Sequence, residues 1–189
     1  EMKTHIAVVG QTCSGKETVF RLVKKEYEGK LNVSIHHFSD PLSEILELLY
    51  LPKSRPNQQW LSTDLRQRFG EDILGNVIKE RVLADTADIV FLDGVRRHKD
   101  VVMLKDLYNS YLIYIYAPIE KRFERLKRRA DRPGDGEKTW EEFLAEQSAE
   151  AESLIETLRP IADFEIDNSE DDPEEFKALK IQLEKLGKS

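Results

Sequence analysis

Short apolar runs alternate with longer amphipathic stretches along the whole chain. The runs His5–Val9, Val33–Phe38, Ile89–Asp93, Leu112–Tyr116 and Asp163–Ile166 are close to continuously apolar. That pattern predicts strands of a largely parallel sheet, covered on both faces. Between them, apolar positions recur at helical spacing. Helices are predicted from about Gly15 to Glu28, and from Pro41 to a stop at Pro52 and Pro56. Others are predicted from about Ser62 to Ala84, after Arg97, from Pro118 to about Ala130, and from about Thr139 to Leu158. The Ser62–Ala84 stretch carries Leu65, Phe69, Leu74, Val77 and Ile78 as its apolar face. Asp172-Pro173-Glu174-Glu175 announces a last helix, with a cap, a first-turn proline and acids toward the positive end of the dipole. Its stripe of Phe176, Leu179, Leu183 and Leu186 is expected to face the core.

Strand and helix therefore alternate, as in an α/β domain. A chain of 189 residues suits one compact domain over 1–189. The formal net charge of −7 argues against general nucleic-acid binding and against anionic membranes. Basic residues are nonetheless concentrated between Lys121 and Arg132, which leaves room for a local anion site. The apolar runs are too short to cross a bilayer. No charged-then-apolar signal segment opens the sequence, and Glu1 ahead of Met2 reads as a remnant of processing. A lone cysteine, Cys13, excludes an intramolecular disulfide and fits a cytoplasmic location. No apolar stripe stands apart from the presumed core, so nothing indicates an oligomeric state.

The strongest chemical signal is Gly10-Gln11-Thr12-Cys13-Ser14-Gly15-Lys16-Glu17-Thr18. It lies between a predicted strand and a predicted helix, the context that a phosphate-binding loop requires. Gly10 and Gly15 would let the backbone approach phosphate oxygens closely, and Ser14 and its neighbours would offer amides to an anion at a helix N-terminus. Lys16 supplies a mobile cation. Glu17 stands where many such loops carry the magnesium-binding hydroxyl, and here the hydroxyl comes one place later, at Thr18.

A second signal is Ile89-Val90-Phe91-Leu92-Asp93-Gly94-Val95-Arg96-Arg97. An acid at the carboxyl end of a parallel strand points to the ligand crevice, so Asp93 is a candidate for orienting magnesium-bound water. A third is Arg122, Arg125, Arg129 and Arg132, spaced by three and four along one helical stripe. Asp131-Arg132-Pro133-Gly134-Asp135-Gly136 follows, with the composition of a flap. His36 and His37 lack metal-ligand spacing and are expected at a strand end or in an acceptor pocket.

Taken together, these motifs resemble the P-loop nucleoside monophosphate kinase superfamily, within it the adenylate-kinase-like, phage deoxynucleotide kinase and dephospho-CoA kinase group. The G-x-x-x-x-G-K-x-T spacing and D-G-x-x-R carry the resemblance, with Phe38-Ser39-Asp40-Pro41-Leu42 and Ile166-Asp167-Asn168. It implies a three-layer P-loop NTPase fold: a five-stranded parallel sheet in the order 2-3-1-4-5, helices on both faces, an acceptor-binding insertion over about 40–84 and a small lid over 131–138. It also implies ATP and Mg²⁺ as cofactors, the ion held by Asp93 and Thr18 largely through water. Arg125 and Arg129 would meet the transferring phosphoryl group. Arg55, Arg66, Arg96 and Arg97 would hold a small nucleotide acceptor, a nucleoside or deoxynucleoside monophosphate. Asp40 leaves alternatives open. It could be the base that a ribose hydroxyl needs, as in dephospho-CoA kinases, a ligand for sugar or base, or a helix cap. An adenylate-kinase-like ATPase serving as an assembly or regulatory factor is a further alternative.

Overall fold

The computed structural model describes residues 3–128, 135–148 and 150–170. The strands are β1 (Thr4–Val9), β2 (Val33–His37), β3 (Ile89–Asp93), β4 (Ser110–Tyr116) and β5 (Phe164–Asp167). All pair in parallel, in the order β2-β3-β1-β4-β5. The helices among the described residues are α1 (Lys16–Glu26), α2 (Asp40–Leu48), α3 (Arg55–Phe69), α4 (Ile73–Ala84), α5 (His98–Lys105), α6 (Ile119–Arg128), α7 (Trp140–Gln147) and α8 (Glu150–Glu156). Sheet order and α/β class are those expected.

The two-residue period of a strand divides the core in two. Ala7, Val9, Val90, Leu92, Leu112 and Tyr114 face one side, against Leu46, Ile78, Leu104 and Leu158. Ile6, Val8, Phe91, Ile113 and Ile115 face the other, against Val19 and Val23 of α1. The central strand β1 is buried along its whole length. Its carboxyl end, where the chain turns into α1, is therefore rigidly placed.

The insertion departs from expectation. Pro56 does not close a helix. It sits in the first turn of α3, whose Ser54 cap accepts from the Asn57 N–H at 3.4 Å. The single helix predicted over Ser62–Ala84 is two, parted at Gly70. That residue takes a φ of 108° and donates its N–H to the Arg66 carbonyl. Glycine reaches this conformation without steric cost, so the chain can turn there. The helix predicted over Thr139–Leu158 is likewise divided into α7 and α8. Thr139 and Glu142 open α7 with reciprocal side-chain-to-backbone bonds of 3.2 and 2.7 Å.

Contrary to the expected absence of an apolar patch, the end of α2 and the turn after it expose Leu48, Leu49, Tyr50 and Leu51, with Tyr50 97% accessible. Arg129, Arg132, the first half of the expected lid (131–134) and the expected helix beyond Asp172 lie outside the described residues. Among the described residues no helix is long and apolar enough to cross a membrane.

Candidate active site

The turn from β1 into α1 is shaped by close approaches of the protein to itself. A Cβ on Gly10 would come within 2.5 Å of the Ile115 carbonyl of β4 and of Ser14 Oγ. Gly15 has a φ of 114°, and a Cβ there would collide with the Asn168 amide. The glycines thus admit neighbouring strands and side chains, a tighter reason than the ligand approach the sequence suggested. Cys13 takes a φ of 62°, sparsely populated for a side-chain-bearing residue. Lys16 Nζ reaches back to the carbonyls of Gly10 at 2.6 Å and Gln11 at 3.2 Å, and the Ser14 N–H donates to Gln11 O at 3.1 Å.

The next three carbonyls are held by residues from other elements. Arg122 donates to Thr12 O at 3.3 Å. Arg125 donates to Cys13 O at 3.3 Å and Ser14 O at 3.4 Å. Asn168, just past β5, donates to Ser14 O at 2.8 Å. Arg122 is itself buried, donating to Gln147 Oε1 of α7 and lying 5.8 Å from the Phe143 ring. Arg122 and Arg125, the described part of the arginine stripe, therefore meet the loop's backbone. The stripe's amphipathic pattern was legible in the sequence, but its destination was not.

At the ends of β2 and β3, Asp93, His37 and Asp40 come together. His37 Nδ1 lies 3.2 Å from Asp93 Oδ2, and the His37 N–H donates to Asp40 Oδ2 at 2.8 Å. The hydrogen bond to Asp93 raises the His37 pKa against the pull of burial, and the charges of Asp93, Asp40 and Glu17 add to it. Burial pushes the Asp93 carboxyl up, but the His37 bond and the charge of Lys16 outweigh it and hold the group below its usual range. Glu17 is exposed and Thr18 half-buried, on the first turn of α1.

Two polar atoms at this site are buried with no hydrogen-bond partner: Ser14 Oγ and Asp93 Oδ1. Burying such atoms unsatisfied is costly, and they mark a place built for polar company. Among the described residues no group of three or more His, Cys, Asp or Glu side chains could hold a metal ion. A magnesium ion here would need a ligand's own oxygens beside Asp93 and Thr18, which suits an ion that arrives with polyphosphate.

The acceptor-side arginines have separate fates. Arg55 is exposed at the start of α3, with its guanidinium 3.9 Å from Glu146 of α7. Arg66 is only 7% exposed, donates to Asp100 Oδ1 at 3.3 Å and bonds the Glu71 carbonyl. It is part of the packing between α3 and α5. Arg97 pairs with Glu71 at 3.0 Å. The Arg96 and Arg97 N–H groups both donate to Asp100 Oδ2 at 3.2 Å. Asp100, 1% exposed, thus fixes the turn that follows Asp93. Sequence reasoning missed it, although an acid at the third position of a helix was a usable sign of capping.

No known family profile matches the chain. It is 27% identical over 178 residues to a UPF0200 protein of Hyperthermus butylicus, covering 94% of this chain and 91% of that one. It is also 27% identical over 187 residues to a UPF0200 protein of Thermococcus sibiricus, covering 96% and 95%. Among solved structures it is similar to the shikimate kinase of Aquifex aeolicus, with a TM-score of 0.54, 19% identity and 96% of each chain covered. It is similar to TT1252 of Thermus thermophilus, with a TM-score of 0.60, 19% identity and coverage of 98% and 99%. It is similar also to a gluconokinase of Sinorhizobium meliloti, with a TM-score of 0.52, 15% identity and coverage of 88% and 83%. The fold is that of the P-loop kinases.

Proposed function

We propose that this protein is an ATP-dependent kinase that moves the γ-phosphoryl group of ATP onto a small nucleotide acceptor. The observation that carries the proposal is the loop from Gly10 to Lys16. Its middle carbonyls are drawn outward by Arg122, Arg125 and Asn168, and an orphaned Ser14 Oγ lies within it. A carbonyl drawn outward leaves the following N–H pointing inward, since the two are antiparallel across a trans peptide; the Ser14 N–H is taken by the Gln11 carbonyl, so those of Cys13 and Gly15 are the ones offered. Inward amides at the start of α1, with the Lys16 ammonium, form a cradle for a polyphosphate.

In this reading Gly15 and Lys16 bind the triphosphate, and Asp93 and Thr18 hold magnesium through water. Magnesium, when bound, would screen phosphate charge and so ease attack by the acceptor. Lys16 stabilises charge on the oxygens of the transferring group, and the rigid strand ends orient the acceptor. Arg96 and Arg97, fixed through Asp100, are the acceptor-side cations closest in sequence to Asp93. Arg129, outside the described residues, is the further cation that the sequence offers to the transferring group.

A nucleoside or deoxynucleoside monophosphate is the first candidate acceptor. A specific observation favours a second, an acceptor attacking through a hydroxyl. Arg66 is buried against Asp100, which removes one cation expected to grip an acceptor phosphate, while Asp40 and His37 stand together at the end of β2. Asp40 is then the base that takes the hydroxyl proton. An ADP-release assay against ribo- and deoxyribonucleoside monophosphates and dephospho-CoA decides between them. Turnover that depends on one acceptor supports the kinase reading. Slow ATP hydrolysis indifferent to every acceptor supports an ATPase instead.

A further inference from the structure

The outer face of the phosphate loop is held by a residue that neither the loop motif nor the arginine stripe includes. Asn168 follows β5, is 6% exposed, and reaches the loop's backbone with its side chain. Three bonds fix it. Its N–H donates to the Tyr116 carbonyl at the end of β4, at 2.8 Å. Its carbonyl accepts from Arg125 Nη2 at 2.5 Å. Its side-chain amide donates to Ser14 O at 2.8 Å. Arg125 bonds the same Ser14 carbonyl with its other nitrogen. The carbonyl just before Gly15 is thus clamped twice, by two groups that are also bonded to each other. Gly15 lacks a side chain for the same reason, since a Cβ there would strike this amide.

We propose that Asn168 is a positioning residue for the nucleotide: its amide holds the Ser14 carbonyl outward and so sets the Gly15 N–H toward the phosphates. The inference rests on the nucleotide reading above and deepens it. The peptide between Ser14 and Gly15 is planar, so the direction of its carbonyl dictates the direction of its N–H. Without the Asn168 amide this peptide is held by the longer Arg125 bond alone and is freer to rotate, because glycine on one side imposes little restraint. A donor is required here. A carboxylate of the same shape would set oxygen against the Ser14 carbonyl. The clamp also joins the ends of β4 and β5 to the turn after β1, so the loop is fixed to the sheet from which it emerges.

Calorimetric affinity for MgATP and amide hydrogen exchange in the ligand-free chain together test this, in full-length N168A and N168D. Both variants are expected to bind MgATP about tenfold more weakly, the loss of one buried hydrogen bond. Exchange over residues 12–16 should accelerate while exchange in β3 stays at the wild-type rate. Weaker binding with unchanged loop exchange would mean that Asn168 serves some other part of the ligand, and overturns the proposal. Faster loop exchange with unchanged affinity overturns it as well, as does no change in either. If N168A does not fold, N168D carries the same comparison, and wild-type behaviour in N168D, which keeps the shape without the donor, overturns the proposal. Wild-type protein that binds no MgATP removes the nucleotide reading itself, and this inference with it.

Discussion

In the nucleotide reading proposed above, Lys16 has two tasks that compete for one ammonium group. It bonds the carbonyls of Gly10 and Gln11, tying the loop's entry to its exit. In that reading the same position would place its charge beside the polyphosphate. Lys16→Ala should therefore lower turnover by about 10²–10³-fold, the scale of removing one preorganised charge stabiliser. The folded structure should survive, because the two cores lie along the sheet below it. Steady-state rates with circular dichroism check this, and wild-type turnover in the variant contradicts the assignment. Asp40 is judged by its isostere. If it is the base for a hydroxyl acceptor, Asp40→Asn should slow turnover by about 10²–10⁴-fold. A change of less than a few-fold would favour a phosphate acceptor, which is already an anion and needs no base.

At the scale of elements, the contacts between β2 and the end of α4 make stability depend on acid. Asp85, just past α4, accepts from Ala87 N–H, Ser34 Oγ and His36 Nε2 at 2.8, 2.7 and 2.7 Å. Burial pushes its pKa up, but these bonds overcome it and take the group from 3.8 down to about 2. A depressed folded pKa stabilises the native state above the unfolded value and loses that contribution as pH falls through the folded value. Thermal melts should therefore show stability lost as pH drops from about 4 toward 2, with a shallower loss in Asp85→Asn. Equal slopes would remove Asp85 as a source of acid sensitivity. The break between α3 and α4 gives a second check. Gly70→Ala places a Cβ at a φ of 108° and 2.9 Å from Asp72 Oδ1. It should cost about 1 kcal/mol or more in denaturant melts. A neutral or stabilising result would mean that the turn readily adopts another shape.

At the scale of the molecule, the architecture was legible because it is written in local periodicity. Each apolar run became a strand, and the sheet order followed from the resemblance that the loop motif carried. What stayed hidden depends on contacts between distant parts of the chain. Arg66 and Arg125 look alike on a helical wheel, yet one is buried against Asp100 and the other reaches the phosphate loop. Asn168 lies more than 150 residues from the loop it clamps. No periodicity announces such a pairing. Gly70 and Pro56 were misread because each has two local meanings, and the packing of α3 against α2 and α4 chose between them.

The central claim is that the turn between β1 and α1 receives a nucleoside triphosphate. Titration calorimetry of the full chain with ATP at saturating magnesium tests it most directly. Saturable binding at one site, strongly weakened in Lys16→Ala, is the predicted result. Absence of binding by any purine triphosphate, or binding that Lys16→Ala leaves intact, would contradict the account.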